Sequence, residues 1–351
     1  MSEEMTPMQR FEAAANLETP DYVPASLFGG IFEVNFVPGM TVPDFGMSGE
    51  NMAKAHIAFY EECGGDTIYC LSDMGLIVQG WGVKMKMPDE PNIHMALGEF
   101  PVKEPEDWEK LEVLDPKKDG RMHLYLDACR IVTDKYGDKV PVGVSLPSPM
   151  TTTTHVASME DTLVHMMTEP EALKKGLATI EQTIADFINA CIDSGAFYTG
   201  YLTTRASKEI TTVDQYKEFG APSDEYVYRK TPGAIHFPHI CGVEPMFDLI
   251  SEWAKKYSNV KGISWWDRGA TPNLKEAKEG WGDHLCLMAG IDHTNTLMES
   301  PAAIEAEVKD ACEIAMEGSG LILAPGCEVS PLTPWDNMKA YFKAAKKYGK
   351  Y

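Results

Sequence analysis

No run of 18 apolar residues occurs in the 351-residue chain, so no membrane-spanning helix is indicated. Positive charge is scarce: 31 Lys and Arg stand against 53 Asp and Glu, a formal net charge of -22. Such a surface disfavours nonspecific contact with nucleic acid and with anionic membranes. The start, Met1-Ser2-Glu3-Glu4, lacks the basic and apolar segments of a secretory signal. There is no glycine-rich phosphate loop, no Gly-x-Ser-x-Gly elbow and no His-Glu-x-x-His pair. Their absence removes the commonest nucleotide, serine-hydrolase and zinc-protease readings. No low-complexity segment interrupts the chain. The eight cysteines are scattered from Cys63 to Cys327, unlike a small disulfide scaffold, and point to a reducing cytoplasm.

What is present is a core-forming composition, 44% hydrophobic, arranged in alternating units. Strands are expected over 21–28, 66–71, 140–146, 196–202, 234–240, 260–265, 285–289 and 321–324. Helical patterns lie between them, among them 50–63, 122–136, 169–194, 300–316 and a last helix opened by Thr333-Pro334. Two helices, 212–219 and 223–229, are expected to flank Pro222, and the segment 147–154 reads as a loop. Residues 75–102, rich in Gly and Pro, read as a small β excursion. About eight strand–helix units in this length favour a single (β/α)8 barrel domain over residues 1–351.

A barrel gathers its chemistry at the C-terminal ends of its strands. Asp73, Ser145, Tyr201, His239, Cys241, Asp267, Asp292 and Cys327 all fall at or near such ends. In His236-Phe237-Pro238-His239-Ile240-Cys241-Gly242, His239 and Cys241 stand two apart and share one strand face. Cys327, in Ala324-Pro325-Gly326-Cys327-Glu328, ends the eighth strand on the same rim. Imidazole and two thiolates are good zinc ligands, and three of them leave a replaceable position. A buried histidine and two core cysteines is the alternative. A fourth protein ligand is open between Asp267 and Glu328. His236, three residues before His239, reads as a core-packing residue, either on the other strand face or behind the metal ligands. Trp265, Trp266, Trp281 and Tyr201 read either as cavity walls or as core packing.

Several pieces together resemble the uroporphyrinogen decarboxylase superfamily from end to end. They are Thr6-Pro7-Met8-Gln9-Arg10-Phe11 with Pro20-Asp21-Tyr22-Val23-Pro24, then Leu71-Ser72-Asp73, His239-Ile240-Cys241-Gly242, and Leu323-Ala324-Pro325-Gly326-Cys327. The resemblance implies a (β/α)8 barrel and two branches, decarboxylases and zinc- and corrinoid-dependent methyltransferases. Asp73 matches the decarboxylases' catalytic aspartate. Their N-terminal arginines are missing from Leu27-Phe28-Gly29-Gly30-Ile31-Phe32. The His-x-Cys…Cys pattern is that of the methyltransferases, whose zinc ligands His239, Cys241 and Cys327 resemble. On that branch the corrinoid arrives on a partner protein, because the chain has no Asp-x-His-x-x-Gly run of its own. The expected activity is transfer of a methyl group from a methoxylated, aromatic compound to Co(I), with methylcobamide:thiol transfer as the alternative. A porphyrinogen decarboxylase and a noncatalytic zinc scaffold rank below both.

Overall fold

The computed structural model describes residues 4–71, 73–88, 93–316 and 318–351. Ser72, quoted above, the start Met1–Glu3 and part of the excursion, 89–92, lie outside the described residues.

Seven parallel strands form one curled sheet: β1 (Ile68–Cys70), β4 (Val142–Pro147), β5 (Tyr198–Leu202), β6 (Ile235–Ile240), β7 (Gly262–Trp265), β8 (Cys286–Ile291) and β9 (Leu321–Pro325). Each pairs with the next in sequence, which is the barrel order. The two short antiparallel strands β2 (Met85–Lys86) and β3 (Ala96–Leu97) are the expected excursion.

The strand expected over 21–28 does not form as such. Pro24 has no N–H to give to a ladder, and only Ala25 bridges β9, opposite Leu323. This segment nevertheless closes the ring. Leu323 N–H donates to Pro24 O (2.8 Å), Ser26 N–H donates to Leu323 O (2.7 Å), and Asp66 N–H donates to Ala25 O (2.8 Å). The seven strands and residues 24–26 thus enclose one interior.

Two helical segments also differ from expectation. The expected loop 147–154 contains a helix, Pro149–Val156, capped by the Ser148 side chain. Its threonines are buried, and Thr152, Thr153 and Thr154 donate to the carbonyls of Ser148, Met150 and Thr151. Tertiary burial outweighs the weak helix propensity of threonine. The pair expected around Pro222 is one helix, Val213–Lys230, that runs through the proline.

The strand faces divide the core in two. One apolar cluster, between sheet and helices, takes most of the buried residues. The other fills the barrel and is built of rings, among them Phe11, Phe28, Tyr69, Tyr198 and Phe237. Rings fit because inward positions on neighbouring strands are glycines. A Cβ on Gly143 would stand 2.3 Å from the Tyr198 ring, and one on Gly200 would stand 1.8 Å from Tyr69 Oη.

Gly200→Ala should therefore cost about 1–3 kcal/mol, read as a lowered denaturant midpoint. The cost should shrink in a Tyr69→Phe background, since the hydroxyl is the atom met. An equal loss in both backgrounds would refute this account of the packing.

Candidate metal centre and its cavity

The strand ends bring His239, Cys241 and Cys327 together. One ligand atom from each lies within 4.8 Å of the others, and these three are the group of this kind found among the described residues. His239 Nε2 is 3.2 Å from Cys241 Sγ, and Cys241 Sγ is 3.9 Å from Cys327 Sγ. Register explains the meeting. His239 pairs with Leu202 on β5 and with Ser264 on β7, which places its ring on the inward face near the top of β6. Cys241 follows on the same side, and Cys327 arrives just past β9.

Three contacts set the chemistry of the triad. Ser264 Oγ lies 3.1 Å from His239 Nδ1 and fixes the ring so that Nε2 faces the sulfurs. The Phe28 ring packs on the imidazole, centroids 4.6 Å apart. The two thiols share a hydrogen bond that holds Cys241 below the usual thiol range, against burial and with help from the Arg205 guanidinium. The same bond, and burial, push Cys327 up. One imidazole nitrogen and two sulfurs with an open side form a soft donor set, which fits zinc.

Neither carboxylate considered as a fourth ligand joins the triad. Asp267 is drawn aside: its Oδ1 accepts from Gly290 N–H (3.0 Å) and its Oδ2 lies 3.1 Å from Arg268 Nε. Burial raises its pKa to about 6. Glu328 lines the cavity, with its Oε1 3.0 Å from His94 Nε2. That pairing raises the His94 pKa.

The triad lies in the wall of a cavity of about 300 Å³ at the barrel mouth. Of the remaining strand-end residues, Asp73 and Ser145 line it too. Asp73 is not a free carboxylate. Arg121 holds it with both terminal nitrogens, one at 2.8 Å, and Arg121 also donates to Gln79 Oε1 and Gly46 O. This buried ion pair leaves the wall without net charge there.

Other expected participants face elsewhere. His236 accepts from Thr199 and donates to Thr231 (2.7 and 2.8 Å), because the Thr231 hydroxyl is committed to Val227 O. Burial lowers its pKa to about 3, so it is a neutral packing residue. Tyr201 donates to the buried Asp224, as does Tyr216 (2.7 and 2.6 Å). Trp265 and Trp281 pack against Phe247, and Trp266 donates to Asp292. The ring that does wall the cavity beside His239 is Phe28. Ser264, a lone hydroxyl in an apolar strand, was visible in the sequence by that contrast. Arg121, His94 and Phe28 carried no such signal.

Two measurements test this description. Ser264→Ala should weaken zinc binding about 10- to 100-fold in a chelator competition titration; unchanged affinity would remove Ser264 from the site. Burial raises the Asp224 pKa to about 7 against its hydroxyl donors, so the fold prefers the neutral acid. The stability it contributes is complete below the ordinary carboxylate range and is lost as pH rises through 7. The stability difference between the protein and Asp224→Asn should therefore change between pH 5 and pH 8, with the unaltered protein losing ground at the higher pH. A constant difference would contradict the shift.

The geometry can be set beside known proteins. The sequence matches the Uroporphyrinogen decarboxylase (URO-D) family over residues 6–348. It is 26% identical to the methylcobamide:CoM methyltransferase MtaA of Methanosarcina barkeri, over 98% of this chain and 99% of that one. The methylated-thiol–coenzyme M methyltransferase of Methanosarcina mazei is also 26% identical, over 99% and 91%. A uroporphyrinogen decarboxylase of Chromohalobacter salexigens is 25% identical over 74% of this chain and 75% of its own. Among solved structures, a methyltransferase from Methanosarcina mazei superposes with a TM-score of 0.87 at 24% identity, covering 98% of this chain and 99% of that chain, which supports the barrel fold. The chain thus belongs to the uroporphyrinogen decarboxylase family and, within it, resembles methyltransferases along its whole length.

Proposed function

We propose that the protein is a zinc-dependent methyltransferase that moves a methyl group from a methyl-corrinoid, carried by a partner protein, to a small thiol. The observation that carries this reading is the pair of sulfurs with one imidazole nitrogen, open to a cavity at the barrel mouth. The full-length relatives named for methylcobamide and coenzyme M point the same way and favour thiol transfer over the methyl-ether reading reached from sequence. The aromatic argument for a methoxylated arene weakens, because Trp265, Trp281 and Tyr201 are packing residues.

His239, Cys241 and Cys327 would hold the zinc. When bound, zinc supplies a Lewis acid that lowers the pKa of a thiol. The remaining work falls to the chain. Ser264 and Phe28 fix His239 in place. Leu71, Leu76, Ile77 and Leu146 give the cavity apolar walls, which keep water from the sulfur nucleophile. Arg121 balances Asp73, so the wall does not repel an anionic sulfur. Asp73 enters this reading as a positioning residue whose bond to Gly75 N–H shapes the loop over the cavity. In the transfer, the sulfur electron pair forms the C–S bond. A methyl-corrinoid brought by the partner would give up its methyl group to that sulfur and keep the bonding electron pair.

A corrinoid domain must cover the mouth. Exposed apolar side chains stand on the loops there: Met74 after β1, Ile93 in the excursion, Val243 after β6 and Leu332 after β9, the last 77% exposed. Such a rim suits a protein partner. No described helix is long and apolar enough to cross a membrane.

The zinc-loaded protein should demethylate methylcobalamin with coenzyme M, followed by the corrinoid spectrum and by mass of the thioether. Cys241→Ala and removal of zinc should each lower the rate at least about 100-fold. Methyl-Co(III) formed from methoxybenzoates and Co(I), with no thiol methylated, would overturn the proposal in favour of ether demethylation.

A further inference from the structure

Among the described residues, the arginines Arg10, Arg121, Arg130, Arg229 and Arg268 each pair with a carboxylate. Arg205, half-buried on the loop after β5, is in no ion pair among those residues. Its Nε and Nη2 both donate to one neutral hydroxyl, Thr154 Oγ1 (3.2 and 2.8 Å). That hydroxyl is itself committed to Thr151 O (2.8 Å). The acid on the same loop, Glu209, is taken up by Val243 N–H (2.6 Å) and by the Ser207 hydroxyl.

The loop that carries Arg205 is fastened to the turn that carries Cys241. Met246 N–H donates to Ala206 O (2.9 Å), and Lys208 N–H donates to Glu244 O (3.0 Å). A Cβ on Gly242 would stand 2.9 Å from Ser207 Oγ, so the two segments touch one residue past Cys241. Thr204 and His155, the chain neighbours of Arg205 and Thr154, line the cavity. Burial pulls the Arg205 pKa down, and Cys241 is the leading influence that holds it up. His155 adds no second charge, because burial, with Arg205 opposing too, lowers its pKa to about 4.

A guanidinium keeps its proton even where burial opposes it. A charge taken out of water without a partner is costly, so an opposite charge that arrives beside it is favoured. With both cysteines as thiolates, a divalent metal leaves the centre neutral. A further sulfur that binds as a thiolate, its proton released to solvent, gives the centre one negative charge.

Building on the thiol reading, we propose that Arg205 is the counter-ion of the thiolate-loaded metal centre. It is a positioning residue that acts across Cys241 and favours an anionic sulfur over a neutral ligand on the open side of the triad.

The test uses the full chain loaded with Co(II), where ligand binding is read from the visible and charge-transfer spectrum at one fixed pH. 2-Mercaptoethanol probes an anionic sulfur, and imidazole probes a neutral ligand. Arg205→Gln should weaken 2-mercaptoethanol binding on the order of 10-fold and leave imidazole within about 2-fold. Arg205→Lys keeps the charge and should recover most of the loss. Arg205→Met, uncharged and of similar reach, gives the same reading should the glutamine variant not fold. Unchanged thiol binding, an equal loss for both ligands, or no recovery with lysine would overturn the proposal. So would a loss confined to 2-mercaptoethanesulfonate, which would make Arg205 a binder of an anionic tail. Failure of the thiol reading is distinct: thiol binding depends on Arg205 as expected, yet no thiol takes a methyl group from methylcobalamin.

Discussion

The narrow interior of the barrel governs the rest of the structure. Its lower part is filled by rings from Phe11, Tyr69, Tyr198 and Phe237, which fit because their neighbours are glycines. A close-packed interior leaves no room for adjustment, so each ring fixes the ones above it. Phe28 rests on Tyr69, and His239 rests on Phe28. The imidazole is therefore seated on the barrel core. Its orientation depends on packing as much as on the Ser264 contact.

Above this filled core the cavity begins, lined by Leu71, Leu146 and Leu202 together with Ser145 and the His239, Cys241 and Cys327 triad. Sulfur chemistry is well placed here. The thiols of Cys241 and Cys327 come from chain segments after β6 and β9, and only the closed ring brings those rims to one point. The ring itself is completed by three residues around Ala25. A break in that short seam would separate β9 from β1 and loosen the rim that carries Cys327. The seam is anchored from the side as well: Asp66 accepts from Ala25 N–H and from Tyr22 Oη, and pairs with Arg10.

Charge is managed locally. The chain carries a large negative excess, yet the acids of the cavity wall are matched by Arg121 or His94. An anionic sulfur can enter such a cavity without meeting unbalanced carboxylate. Asp73 illustrates the point. Its position at a strand end suggested a catalytic carboxylate, but the partner that sets its behaviour, Arg121, lies 48 residues away and was not foreseeable from spacing.

The sequence by itself determined the repeat of strands and helices, hence the barrel, and the grouping of His239, Cys241 and Cys327 at its rim. Period-two strand geometry put His239 and Cys241 on one face, and the rule that strand ends share a rim brought in Cys327. Local pattern could reach these because each depends on spacing along one strand or on a regular repeat. Only the tertiary structure decided the rest. It turned Tyr201, Trp265 and Asp267 away from the cavity, made Phe28 its aromatic wall and paired Asp73 with Arg121. Those outcomes depend on which residues from distant strands meet across the barrel, and a single strand's pattern carries no record of its neighbours' side chains.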